Sequence, residues 1–304
     1  MPAADVSPAQ EVGRVRIRVI EPCGPPDSGV LNTNLAQLRE AGLQVDYEPS
    51  NQSTGERLSV GGVATRFAHF NTGLSGHDYD YLLCVRGGYG ASELLGLVDW
   101  TALADVAPRP LIGFSDVSAL QSAFYTRLHW PALHAPMPGS PLWGDGADIE
   151  QLMTLLCSGQ VWQGTVSVNG HGGEVDSSYS GRLFGGCLSV LTNLIGTAYL
   201  PNGFAGHILF FEDSGESPPR LLRCWRQWLD CGLLEDVRAV VFGRFTDIGP
   251  GQEDEEWVQN EMAARSPCPV FFSSEFGHVS PNMPLCLGAE AVITDGNLRW
   301  HLAR

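Results

Sequence analysis

The sequence predicts an α/β protein: a doubly wound parallel sheet followed by a smaller α+β domain. Three observations lead there. An apolar run, a glycine- or serine-bearing loop and a helical stretch follow one another twice in succession, over residues 81–97 and 111–128, as parallel strands with crossover helices do. Composition is that of a globular chain, 43% hydrophobic and 17% charged over 304 residues with 36 glycines, which excludes disordered, collagen-like and coiled-coil architectures. Beyond residue 181 the order of elements changes, and Asp295-Gly296 gives a hairpin signal between two short apolar runs. At roughly 150 residues per domain the chain is long enough for two. The expected division is a first domain over 14–145, a linker over 146–180 and a second domain over 181–304.

The first strand is read at Val15, Ile17 and Val19, which alternate with Arg14, Arg16 and Arg18 in the period of a strand covered on one face. A turn-rich loop over 22–28 precedes a helix over 31–41, with Leu35 and Leu38 at helical spacing and Gly42 ending it. Leu43, Val45 and Tyr47 then return to strand alternation. Residues 81–85 are continuously apolar, as in a strand covered on both sides, and stop at Arg86-Gly87-Gly88-Tyr89-Gly90 before a helical stretch over 91–97. Residues 111–114, then Ser115-Asp116, then an amphipathic helix over 117–128 repeat that unit. Sites in such sheets lie at the carboxyl ends of the strands, so both loops should open onto one crevice. A helix over 148–157 leads into the small, polar stretch that ends at Ser180. In the second domain residues 183–195 read as helix, 207–211 as strand, and Ser217-Pro218 as the start of a helix running to Cys231. Strands are expected over 239–245 and 270–273, and a hairpin joins 289–294 to 297–302.

Charge narrows the function. Lys plus Arg number 18 against 34 Asp plus Glu, a formal charge of −16, so nucleic acid and anionic membrane surfaces are repelled on balance. No apolar run approaches the roughly 20 residues of a spanning helix, and residues 1–13 lack the basic end and apolar stretch of a signal peptide. A soluble, cytoplasmic protein is expected. The eight cysteines are scattered, without a Cys-x-x-Cys pair or zinc-like spacing, and read as free, mostly buried thiols with no metal.

Four places carry residue types suited to chemistry. Gly113-Phe114-Ser115-Asp116 puts a serine at a strand-to-helix junction, where a sharp turn presents Oγ to the crevice with free N–H groups behind it. A serine there also serves as an ordinary helix cap, and the nucleophile-elbow pattern Gly-x-Ser-x-Gly is incomplete because position 117 is Val. Arg86-Gly87-Gly88-Tyr89-Gly90 allows close backbone approach and positive φ, so its N–H groups suit an anion or a developing oxyanion, or simply a tight turn. It lacks the Gly-x-Gly-x-x-Gly spacing of a dinucleotide loop. Arg86, with Tyr89 in the same loop, is the candidate to bind a substrate carboxylate; Arg182 and Arg220 are weaker ones. Glu212-Asp213 ends the apolar run Ile208-Leu209-Phe210-Phe211, and His278 lies in Phe276-Gly277-His278-Val279-Ser280-Pro281-Asn282. Ser115, Glu212 and His278 thus occur, in that order, at positions following strands and suit a nucleophile, orienter and base. His134, in Leu133-His134-Ala135-Pro136-Met137, is the one other histidine with a comparable setting.

Those segments together resemble the LD-carboxypeptidase family of serine peptidases, which trims murein tetrapeptides and includes the microcin-immunity peptidases. The resemblance spans about residues 17–293. It rests on Arg86-Gly87-Gly88-Tyr89-Gly90, on Gly113-Phe114-Ser115-Asp116 followed by Ala119-Leu120, on Gly185-Gly186 leading to Leu194-Ile195-Gly196-Thr197, on Phe211-Glu212-Asp213, and on Phe276-Gly277-His278 with Asn282. It implies a Rossmann-like first domain joined to a smaller second one, usually in a homodimer. It further implies Ser115 as nucleophile, His278 as general base and acid, Glu212 as the residue that orients the imidazole, and the backbone N–H groups of Gly88 and Asp116 as the oxyanion hole. No cofactor is implied. The implied reaction is release of the terminal D-alanine of a murein tetrapeptide during cell-wall recycling. Two departures are Glu21-Pro22-Cys23, where relatives usually show Ala-Pro-Ser, and Met283-Pro284-Leu285-Cys286-Leu287 in place of Leu-Pro-Leu-Gly after Asn282.

Two alternatives stay open at this point. One is a peptidase of aminoacyl-nucleotide antibiotics, gripping its longer substrate with Trp143, Trp225 or Trp228, although spacing puts the last two in a helix core. The other is a non-catalytic binding module in which the glycine loop cradles a phosphate or sugar and Ser115 merely caps its helix.

Overall fold

In a computed structural model the described residues are 15–50, 61–75, 78–144, 146–158, 161–171, 177–249 and 252–303. The polar arm over 1–13, Arg14 of the expected first strand, and Gly172 and Gly173 of the expected linker lie outside them.

The first sheet holds β1 (Arg16–Ile20), β2 (Gln44–Asp46), β3 (Tyr81–Cys84), β4 (Leu111–Gly113) and β5 (Ala132–His134), in the order 2-1-3-4-5. All four pairings are parallel, which is the doubly wound topology the sequence predicts. Helix Ser28–Glu40 follows β1, begun by Asp27, whose carboxylate accepts the N–H groups of Gly29 and Val30. β1 differs from its expected one-sided cover: Arg18 is buried beside Ile17 and Val19 because it pairs with Asp46 and donates to Thr72 Oγ1. A cation on the covered face is tolerated there only because it is paired.

The segment expected to link two domains is itself structured. It holds helix Ala147–Cys157, β6 (Val161–Ser167) and β7 (Asn169–Gly170), both strands lying in the second sheet. That sheet continues with β8 (Tyr179–Cys187), β9 (His207–Ser214), β10 (Ala239–Thr246) and β11 (Val270–Phe272). β12 (Leu285–Leu287) leaves it to pair antiparallel with β5 at the edge of the first sheet. β13 (Glu290–Thr294) and β14 (Asn297–Ala303) form the expected hairpin. The full order is 6-14-13-8-9-10-11-7, with β8 to β11 mutually parallel and the flanking strands antiparallel. Residues 183–187, expected to be helical, continue β8, and helix begins only at Leu188. The glycine pair explains the difference. A Cβ on Gly185 would lie 1.9 Å from Phe210 O of the neighbouring strand, a closeness a helix would not need.

The two sheets meet along helix Ser118–Leu128. Every residue from Ser118 to Phe124 is buried, so its first two turns are not amphipathic as the sequence suggests; the second sheet covers the face expected to meet water. Gly186 is a point of close approach, since a Cβ there would sit 2.6 Å from Ser118 Oγ, and that hydroxyl accepts the Cys187 N–H at 3.1 Å. None of the eight cysteines forms a disulfide; four are buried, three half-buried and Cys231 is exposed. No helix among the described residues is long and apolar enough to cross a membrane.

Candidate active site

β4 ends at Gly113, and the chain turns sharply into a single 3₁₀ turn, Ser115–Val117, before the long helix. Ser115 holds that turn at φ 64°, a left-handed conformation that costs an L-residue roughly 1–2 kcal/mol. Packing enforces it: the glycine loop after β3 passes so close that a Cβ on Gly87 would lie 2.8 Å from Ser115 Cβ and 3.0 Å from its Oγ. A side chain at position 87 would therefore displace the hydroxyl. Gly88 and Gly90 take φ of 116° and 121°, as the sequence expectation of positive φ requires.

The Ser115 hydroxyl does not cap its helix. Its Oγ lies 3.0 Å from His278 Nε2, and His278 Nδ1 lies 2.7 Å from Glu212 Oε2. A carboxylate can only accept, so Nδ1 carries the proton and Nε2 is left to accept from the serine. Glu212 is wholly buried near the end of β9, which runs on to Ser214 rather than stopping at Phe211. Burial pushes its carboxyl up, but the adjacent His278 charge and N–H, with a smaller contribution from His134, hold it below the ordinary value. Burial likewise disfavours a charged His278, and the Glu212 carboxylate, aided by Asp213 and Asp247, outweighs this and raises the imidazole above its ordinary value. The Phe114 ring stands edge-on to the imidazole at 4.9 Å and limits its rotation. Chemically, a hydroxyl facing an unprotonated ring nitrogen, with a carboxylate behind the ring, is arranged to give up its proton on attacking a carbonyl.

The loop that carries His278 is held from the linker segment. Asp148, buried in the first turn of its helix, accepts the Asn282 N–H at 2.9 Å, and Asn282 Oδ1 accepts the Gly277 N–H at 3.0 Å. Asp148 was not singled out from sequence, because an acidic residue in a first helical turn is ordinary helix chemistry. His134 stands fully buried between Phe114 and Phe210, and neither ring nitrogen has a partner among the described residues; burial lowers it to about 4, so it is neutral at physiological pH.

The other sequence candidates are placed less centrally. Asp116 is buried and its carboxylate accepts the Ala91 N–H at 2.9 Å. Arg86 donates from Nη1 to Pro25 O, and Tyr89, 47% exposed, donates to Glu93. Arg220 pairs with Glu216. Trp143, Trp225 and Trp228 are buried, their indole N–H groups bound to Gln37, Met262 O and Thr192, so they are core rather than a substrate grip.

Fold and site together define an α/β protein with a hydroxyl, an imidazole and a carboxylate in line. The models of the LD-carboxypeptidase N-terminal domain and of the LD-carboxypeptidase C-terminal domain match residues 17–135 and 180–293, and the chain belongs to that serine-type family. A murein tetrapeptide carboxypeptidase of Pseudomonas aeruginosa is 33% identical over 299 residues, covering 94% of this chain and 95% of that one. The microcin C7 self-immunity protein MccF of Escherichia coli is 23% identical, covering 78% and 77%. Among solved structures, the muramoyltetrapeptide carboxypeptidase of Oxalobacter formigenes superposes with a TM-score of 0.80 at 24% identity over 95% of this chain and 99% of that one. MccF bound to glutamyl sulfamoyl guanosine gives 0.81 at 19%, over 94% and 96%. At these identities the superpositions establish the shared fold.

Proposed function

We propose that the protein is a murein LD-carboxypeptidase that removes the terminal D-alanine from tetrapeptides, with Ser115 as nucleophile, His278 as base and acid, and Glu212 as its orienting carboxylate. The carrying observation is the 3.0 Å approach of His278 Nε2 to Ser115 Oγ, with Glu212 behind the ring. Identity to the Pseudomonas protein over nearly the whole chain supports the substrate.

In this reading Ser115 Oγ attacks the carbonyl between the L-centre and D-alanine while its proton passes to His278 Nε2. The N–H groups of Gly88 and Asp116 stabilise the oxyanion. His278 then protonates the departing amine, D-alanine leaves, and the peptide remains as an ester on Ser115. A water loses a proton to the same nitrogen and attacks the ester, which frees the tripeptide and restores the hydroxyl. Arg86 and Tyr89, both at the exposed rim of the glycine loop, are the proposed contacts to the anionic substrate. We place the activity in the cytoplasm, a reading supported by eight cysteines of which none forms a disulfide, and in a homodimer, as the family resemblance implies.

Incubating the purified protein with a defined murein tetrapeptide, and separating the products by chiral chromatography, should yield D-alanine and tripeptide in equal amounts. Absence of D-alanine from a preparation whose Ser115 is still labelled by a fluorophosphonate would overturn the substrate but not the nucleophile. Cleavage of an acyl sulfamoyl adenylate in its place would select the antibiotic-peptidase reading. Ligand binding without labelling would select the binding module.

A further inference from the structure

Arg66 is the feature of the first domain for which neither the fold nor the proposed chemistry yet accounts. It lies on the inner side of helix Val63–Ser75, 1% exposed, where Phe70 and Leu74 make an apolar stripe. Desolvating a guanidinium is costly unless its donors are met, and here two of its four partners are backbone carbonyls of the site loops and one is a carboxylate. Nη1 donates to Pro22 O in the loop after β1 at 3.1 Å and to Gly90 O in the loop after β3 at 2.9 Å. Nε reaches Gly61 O at 3.4 Å, and Nη2 pairs with Glu93.

Gly90 C=O and Ala91 N–H belong to one peptide unit. Its oxygen is bound by the buried Arg66, and its N–H by the buried Asp116 carboxylate at 2.9 Å. This peptide plane is therefore clamped on both edges by opposite charges. The clamp answers a need: Gly88 and Gly90 sit at φ of 116° and 121°, and a loop with so few side chains has many alternative peptide orientations. The near end of the loop is tied separately, Gly24 N–H donating to Gly87 O at 2.9 Å. Between the two ties stand Gly88 and, against Gly87, the Ser115 hydroxyl. No room is left for slack, since a Cβ on Gly90 would lie 2.0 Å from Arg66 Nη1.

We propose that Arg66 is a positioning residue for the reaction: with the Asp116 carboxylate it locks the Gly90–Ala91 peptide and so holds the Gly88 N–H against Ser115. This rests on the reading of Gly88 as an oxyanion donor. Asp116 then serves twice, its own N–H beside the nucleophile and its carboxylate fixing the loop that supplies the other donor.

Arg66→Lys keeps the charge but loses the fork that reaches two carbonyls at once. Its kcat for D-alanine release should fall by roughly 100-fold, the loss expected when one oxyanion donor is misplaced, with KM within about threefold of wild type. Fluorophosphonate labelling of Ser115 should slow in proportion. Asp116→Ala should give a similar loss, and the double variant should be little slower than the worse single one, because both act on one peptide. A folded Arg66→Lys with wild-type kcat, a loss confined to KM, or losses that multiply in the double variant would each overturn the proposal. Should Arg66→Lys fail to fold, Glu93→Gln serves: a kcat loss of about tenfold at unchanged KM is expected from its weakened hold on the guanidinium, and an unchanged kcat overturns the idea. If the wild type releases no D-alanine, the substrate assignment has failed; the labelling rates of the same variants still decide the role of Arg66.

Discussion

The serine side and the histidine side of the 3.0 Å contact are built by different physics. On the serine side everything is backbone: a left-handed residue at 115, a glycine at 87 whose missing Cβ leaves room for the hydroxyl, and a turn only three residues long. On the histidine side everything is charge and hydrogen bonding across long sequence separations. Glu212 and His278 are 66 residues apart, and the loop beneath His278 is pinned by Asp148, 134 residues before Asn282. The first side should therefore fail when a methyl group is added or strain is relieved. The second should fail when a charge is removed, and it should show that failure as a pH dependence.

The largest effect belongs to the proposed nucleophile. Ser115→Ala and Ser115→Gly should each lose roughly 10⁴- to 10⁶-fold in kcat, as nucleophile removal does in serine hydrolases. Stability separates the two variants. Alanine keeps the unfavourable φ while glycine does not, so Ser115→Gly should be more stable than Ser115→Ala by about 1 kcal/mol, or roughly 2–4 °C in Tm. Equal melting temperatures would show that the turn stores no strain and that the contrast between the two sides is drawn in the wrong place.

Glu212→Gln probes the opposite side and should cost about 10³- to 10⁴-fold in kcat, since an amide no longer fixes the productive tautomer of His278. The pH profile supplies the sign. With the neutral ring as the proposed base, kcat/KM should be lost as pH falls through the His278 pKa, and in the wild type that midpoint should lie above the ordinary 6.5 because Glu212 favours the charged ring. Without the carboxylate, burial is opposed only by the weaker influence of Asp213 and Asp247, and the midpoint should move down. A midpoint that does not move would mean that another group controls the acid limb.

How much of this could be read from the sequence follows the same division. The serine side is local, so Gly87, Gly88, Gly90 and Ser115 are legible as a loop and an elbow, and the repeated unit announces a parallel sheet, though neither β5 nor the order of its strands. The histidine side is legible only as isolated residues, because nothing in the chain states that Asp148 will meet Asn282 or that β12 will cross back to β5. Residues 183–187 mislead for a related reason. Their apolar and glycine content fits helix or strand equally, and only the approach of Phe210 O to Gly185 decides for strand. A signal for Arg66 was present, a cation in register with Phe70 on an apolar helix face, but all its partners except Glu93 are main-chain carbonyls that sequence does not display.

A smaller loss tests the scaffolding of the histidine side. Asp148→Ala leaves the Asn282 N–H buried without its acceptor, at a cost of about 1–3 kcal/mol in stability. Asn282 in turn positions Gly277, so kcat should fall by roughly 10-fold or more while KM holds, a loss of alignment rather than of binding. If activity survives at temperatures where the variant is fully folded, the loop is held by its other contacts and Asp148 contributes stability alone.

The smallest effect on activity, and the sharpest on the electrostatic side of the comparison, concerns Asp213. Its carboxylate accepts the N–H groups of Ser189 and Ser214 at 2.7 and 2.9 Å, yet burial, reinforced by the neighbouring Glu212, raises it to about 6. When ionised it favours a charged His278, so Asp213→Asn should move the acid limb of kcat/KM downward, by a fraction of the shift produced by Glu212→Gln, with little change in the plateau. Stability carries an independent sign. A carboxyl whose folded value lies above its ordinary 3.8 stabilises the fold below 3.8, and that contribution disappears as pH rises through about 6. The melting temperature of Asp213→Asn should accordingly gain on the wild type between pH 4 and pH 8, and a gain in the reverse direction would show that the ionised carboxylate is stabilised by its two N–H donors more than burial costs it.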